Sequence, residues 1–274
     1  MLERIYEEAW ADERQVPSDV TGTSIRDDYP DLQELQNAVP ELIIRHNLHG
    51  VDIDLRACQI AALALWLRAQ RTYERLNLKT SERPNITRSN IVCAEPMPGD
   101  QQLLDRFVAD LGPKVLGQLV QVVFEKMKLA GDAGSLLKIE DEIASAVTEA
   151  KKLWLAGPKA EQGGLFADDR RPEQEQLGLD LSGITDEAFW ASAEERIYAA
   201  LRAYAEGAEN EHGYQRRLFA GDAARGFAFV HICREHYDAV LMNPPFGELA
   251  MASKAYVVSH YARTKNDIYA AFVD

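Results

Sequence analysis

The sequence predicts an α/β fold in which strand–helix–strand segments enclose a large helical insertion. Three observations carry that prediction. Leu48–Ile53 and Asn90–Ala94 are short apolar runs separated by an Ala- and Leu-rich helical stretch, Leu55–Leu76. Residues 101–156 then show helical periodicity only. A further helical stretch, Ala223–His236, leads into a third apolar run, Tyr237–Met242, which ends on Asn243-Pro244-Pro245-Phe246.

The elements follow in order. Leu2, Ile5, Tyr6, Ala9 and Trp10 share one face of a helix over residues 1–15. Pro17, Gly22 and Pro30 punctuate a polar loop over residues 16–30. A second helix is expected from Asp31 to Arg45, then the strand Leu48–Ile53 with Gly50 inside it. Asp54 is placed to cap the helix Leu55–Leu76, whose apolar residues on most faces imply packing on a sheet. Glu95-Pro96-Met97-Pro98-Gly99 closes the strand Asn90–Ala94. Helices are expected at Gln101–Leu111, Val115–Leu129, Leu136–Leu155 and Asp186–Ala205. Glycines, prolines, charges and glutamines dominate residues 157–183, which are expected to be flexible. The implied division is 1–100, a helical insertion 101–222, and 223–274.

Composition narrows the function. Of 274 residues, 46% are hydrophobic, enough for a sizeable core. The formal net charge of −14 argues against strong binding of a nucleic-acid backbone by this chain on its own. The acid is concentrated: residues 1–54 hold thirteen Asp/Glu against four Lys/Arg. A basic stretch follows, with Arg68, Arg71, Arg75, Lys79, Arg83 and Arg88; it reads either as a solvated helix face or as a DNA track. Cys58, Cys93 and Cys233 have no C-x-x-C spacing and read as reduced thiols of a cytoplasmic protein. The six histidines show no metal spacing, and no apolar run reaches membrane-spanning length.

The chemistry lies at three expected strand ends. Open α/β sheets bind ligands beyond the carboxyl ends of their strands. Asp52, with Gly50 just before it, suits two hydrogen bonds from the vicinal hydroxyls of a ribose. Glu95 suits the exocyclic amine of an adenine, or is a plain loop carboxylate. Pro244 and Pro245 fix φ near about −65° and remove two N–H donors, so the carbonyls of their loop lack local competitors. Asn243, the Pro244 carbonyl and Phe246 then present an amide, a bare acceptor and a ring together, a set that suits a planar base bearing an amine.

These residues resemble the S-adenosylmethionine-dependent amino-group DNA methyltransferases, specifically the N6-adenine branch. Within that branch the chain is most similar to the adenine methyltransferase of the BREX phage-defence system and to fused restriction–modification enzymes. The resemblance is carried by Gly50–Trp66 (GVDIDLRACQIAALALW), Asn90–Asp100 (NIVCAEPMPGD) and Leu241–Glu248 (LMNPPFGE). It implies a partial Rossmann-like class I methyltransferase fold. It assigns Asp52 to the cofactor ribose, Ile53 to the apolar wall against its adenine, and Glu95 to the adenine amine. It assigns Asn243 and the Pro244 carbonyl, in the Asn243-Pro244-Pro245-Phe246 loop, to the N6 amine of a target adenine. Phe246 would stack on that base once flipped from double-stranded DNA. Lys265–Phe272 resembles the helix start that lines the same pocket.

The chemistry is coherent. The N6 lone pair is delocalised into the purine, and two acceptors pulling on its hydrogens favour the pyramidal form that attacks a methyl group. The sulfonium cofactor supplies that methyl and the protein supplies position. One departure matters: the sequence has no Asp/Asn-Pro-x-x-Gly-x-Gly loop, the segment such enzymes place against the cofactor after their first strand. The chain therefore reads as an internal piece of a larger enzyme, inactive alone. The alternative is a non-enzymatic fragment that complements a separate N-terminal piece. Glu175–Leu179 resembles the Gln-Leu-x-Leu peptides that dock on sliding clamps, against the plainer reading of a polar linker.

Overall fold

The structure, a computed structural model, describes residues 1–18, 21–86, 89–156, 185–207, 213–243, 251–264 and 266–272. Residues 157–183 and the clamp-like segment within them lie outside the described residues, as do Pro244, Pro245 and Phe246. The fold is mostly helical with a small parallel sheet, and it divides into two compact units, Met1–Ala94 and Glu95–Asp274.

The first unit holds α1 (Leu2–Ala11), α2 (Ile25–Asp28), α3 (Leu32–Leu42), β1 (His49–Asp52), α4 (Leu55–Arg75) and β2 (Asn90–Cys93). Ser24 opens α2 with a capping box to Asp27, and Asp31 caps α3 by accepting from the Gln33 N–H. Pro40 lies within α3, and a π-helical turn at Ile43–Asn47 carries the chain into β1. The strands pair in parallel, His49 opposite Asn90 and Asp52 opposite Cys93, with α4 as their crossover. Gly50 leaves room for Ile91, whose Cδ1 would lie 2.9 Å from a Cβ there. Ile44, Ala69 and Tyr73 form a buried cluster, joined by Leu65, Leu78 and Ile86.

Helix α4 departs from expectation on one point. It packs on the strands, but Ile60, Leu63, Trp66 and Leu67 are exposed. Two strands about 4.8 Å apart cover one stripe of a helix and no more. The second departure is Tyr237–Met242, expected as a strand, which is not one, with Leu241 98% exposed. A strand needs a hydrogen-bonding neighbour. Among the described residues the only strands are β1 and β2, and they pair with each other.

The second unit is helical: α5 (Gln101–Asp110), α6 (Lys114–Lys126), α7 (Ala130–Ala133), α8 (Ile139–Ala156), α9 (Asp186–Glu206), α10 (Gly213–Arg234), α11 (Met251–His260) and α12 (Ile268–Ala271). Its core is aromatic. Phe219 of α10 lies 6.1 Å from Phe107, 5.8 Å from Phe124 and 6.0 Å from Tyr204, centroid to centroid. Helix α10 starts at Gly213, earlier than periodicity alone suggests, and passes residue 222 unbroken. Thr185 caps α9, and Lys151 of α8 pairs with Asp186 at 2.8 Å.

Truncation at the aromatic cluster sets a clear expectation. Phe219→Ala should cost about 3–5 kcal/mol, whereas Leu218→Ala, at a half-exposed neighbour, should stay within about 0.5 kcal/mol. Urea denaturation of the full chain measures both.

Candidate functional site

The carboxyl ends of β1 and β2 lie side by side, at the places where the sequence puts Asp52 and Glu95. Asp52 is exposed at the end of β1, its Oδ1 accepting the Asp54 N–H at 2.8 Å. Its backbone carbonyl accepts the Ala94 N–H at 2.8 Å, which extends the ladder one step past β2. Ile53 follows with 56% exposure, an apolar side chain presented to solvent beside the carboxylate. Asp54 caps α4 by accepting the Arg56 N–H at 2.8 Å, so the two nearby acids have different roles.

Sequence reasoning read Cys58 as core, which its 5% exposure bears out, but missed what the thiols do. Cys58 Sγ donates to the Val92 carbonyl at 3.3 Å and Cys93 Sγ approaches the Ile53 carbonyl at 3.6 Å. Cys58 thus ties α4 to the strand ends, and Cys93 ties the end of β2 to the residue after β1. Burial, then the charge of Asp52, pushes the Cys58 thiol up, so it stays a protonated donor. An apolar-looking helix position gave no sign of this in the sequence.

Glu95 stands in the second unit, where Arg225 Nε of α10 lies 3.6 Å from its Oε2. Arg225 also bonds Asp222 one turn earlier on α10. Met97 is buried against α10 at Gly226, where a Cβ would collide with its sulfur. Asp100 then caps α5 through the Gln102 and Leu103 N–H groups. Glu95 is thus held in a short loop pinned on both sides. The pairing with Arg225 has no sequence signature, because the two residues are far apart in the chain.

Asn243 is exposed at the end of the segment Tyr237–Met242. The chain after its loop is well anchored. Tyr256 Oη accepts the Lys138 N–H at 3.2 Å, Tyr261 Oη donates to the Leu136 carbonyl at 2.9 Å, and His260 Nε2 lies 3.0 Å from Glu142. Asp267 caps α12, the helix start expected there, by accepting the Tyr269 N–H at 2.9 Å.

The basic stretch is engaged structurally. Arg75 pairs with Glu3 of α1 at 2.9 Å, Arg68 approaches the same carboxylate at 3.9 Å, and Arg83 donates to Gln70 at 2.8 Å. These contacts favour the helix-face reading over a DNA track. Among the described residues no helix is long and apolar enough to cross a membrane.

A model of the Eco57I restriction-modification methylase family matches residues 46–274. No curated protein and no solved structure matches the chain.

The cap at Asp54 gives a pH test. Its hydrogen bonds from Arg56, backbone first, hold the Asp54 carboxyl below its ordinary value of 3.8. A depressed acid stabilises the fold above its unfolded pKa, and that contribution disappears as pH falls through the folded value. Asp54→Asn, which caps without charge, should therefore flatten the fall of the urea midpoint below pH 3.8 relative to the unsubstituted chain.

Proposed function

The chain belongs to the Eco57I restriction-modification methylase family, and from that footing we propose that its methyl-transfer site acts on the N6 amine of adenine in double-stranded DNA, with S-adenosylmethionine as donor. The observation that carries the reading is the β1/β2 register. It sets Asp52 and Ile53 at one strand end beside the other strand end, whose chain continues to Glu95. In this reading Asp52 takes the cofactor ribose, Ile53 covers its adenine and Glu95 accepts its amine. Asn243 and the Pro244 carbonyl accept the N6 hydrogens of the flipped base, Pro245 stiffens the loop and Phe246 stacks. S-adenosylmethionine, when bound, supplies an electrophilic methyl. The residues orient the amine, raise its nucleophilicity and take up no covalent bond.

The wording of the three strand ends further supports a BREX-like or fused restriction–modification setting, hence phage defence in the cytoplasm. The exposed Val240, Leu241 and Met242 favour a companion reading. This segment gains its strand by pairing with a further strand, and the isolated chain is inactive until it does. A sliding-clamp contact through Gln176 and Leu177 is a lesser proposal of the same kind.

Two measurements test this. The chain alone should show calorimetric affinity for S-adenosylmethionine no better than about 1 mM and no tritiated methyl transfer to DNA; micromolar binding or transfer would remove the inactivity proposal. In cells carrying the gene with its neighbouring reading frames, mass spectrometry of digested DNA should find N6-methyladenine. Asn243→Ala should cut it by about 100-fold or more, as loss of one preorganised acceptor does. Methylation at cytosine N4 instead, or none, would sink the adenine assignment.

A further inference from the structure

The first unit contains a cavity of about 410 Å³ between α1, α2 and the turn after α3. It is separate from the strand-end chemistry. His46 lines it, and Tyr6 on its wall donates to Asn47 Oδ1 at 2.8 Å, which places it at the amino end of β1. Asp52 closes the carboxyl end of that strand, three steps and roughly 10 Å further on. A volume of this size holds a small organic molecule.

The geometry points to a binding site for a small organic cation, an aromatic or branched-alkyl ammonium whose apolar body fills the cavity and whose charge faces Asp28 and Asp12. The apolar floor is supplied by Ala9, Ile25 and Leu42. Two phenol rings, Tyr6 and Tyr29, line the wall, and such rings attract a desolvated cation through their faces. Asp28 is bonded by neutral hydroxyls, Thr21 at 2.9 Å and Thr23, so its negative charge stays uncompensated there. Asp12 is paired with Arg14 at 2.8 Å, but that guanidinium is 82% exposed and is a weak competitor in water.

The surrounding field has the same sign. Burial first, then Tyr29 and Glu41, push the Tyr6 hydroxyl up; burial first, then Glu41 and Asp28, push Tyr29 up. The segment around them holds thirteen acids against four bases over residues 1–54. An anion is disfavoured in such a cavity, and a neutral molecule of the same shape gains only the apolar contact.

Benzylammonium and its neutral isostere benzyl alcohol separate these terms. Saturation-transfer NMR titration of the full chain should give the ammonium an affinity at least about tenfold tighter than the alcohol. Asp28→Asn, and independently the exposed Asp12→Asn, should bring the ammonium towards the alcohol, with the far-ultraviolet circular dichroism unchanged. Leu42→Trp should remove both. Equal affinities, no saturation transfer from either probe, or unchanged ammonium binding in both Asp variants would overturn the proposal. Displacement of the probe by S-adenosylmethionine would also overturn it, by making the cavity the donor site. None of these readouts depends on methyl transfer, so the adenine assignment stands or falls separately.

Discussion

The parallel ladder between His49–Asp52 and Asn90–Cys93 is the constraint on which the candidate site depends. It is only four residues long, and a parallel pair of that length is marginal alone. Helix α4 makes it stable by lying across both strands; the Cys58 thiol ties that helix to the Val92 carbonyl, and the Cys93 thiol of β2 reaches the Ile53 carbonyl. A slip of one residue would turn Val51 and Val92 to opposite faces and carry Asp52 away from its end position. Gly50 lets Ile91 lie close against β1 in this register. That glycine and the Cys58 and Cys93 contacts surround the strand end that presents the solvent-facing Asp52.

Much of this was legible in the sequence, for reasons that differ by element. The first two strands and α4 announce themselves through short apolar runs, a glycine and a capping Asp54, all local signals. The helices of the second unit follow from periodicity, which depends only on which face is buried. Tyr237–Met242 has the same apolar signature as the other strands, yet propensity cannot supply a hydrogen-bonding partner. The exposure of Ile60 and Leu67 was hidden for a related reason: a helix rich in Ala and Leu all round says that burial is available, not how wide a sheet will provide it. Arg225 against Glu95 was not legible at all, since a long-range ion pair leaves no spacing in the chain.

The Arg225 contact bears on what Glu95 is able to do. A carboxylate has about four lone-pair sites and accepts from several donors at once. Glu95 has Arg225 at 3.6 Å from one oxygen, and Arg225 is itself bonded to Asp222. The pairing also restrains its rotamer, so less conformational entropy is lost when a donor arrives. Neutralisation by a nearby cation weakens its pull on any amine, and this trade of strength for position suits a recognition group better than a base.

Asn243 poses the opposite problem. Stiff prolines fix dihedrals inside a loop, but a loop is aimed by what holds its two ends. Downstream, Tyr256, His260 and Tyr261 bind α11 to Lys138, Glu142 and Leu136. Upstream, residues 238–242 have no strand partner among the described residues, and their apolar side chains face solvent. Preorganised acceptors accelerate a reaction because their dipoles are paid for in advance by the fold. Under the proposed companion reading, a ladder of backbone hydrogen bonds along residues 238–242 would bury Val240 and Met242 and orient the Asn243 carboxamide in the same step.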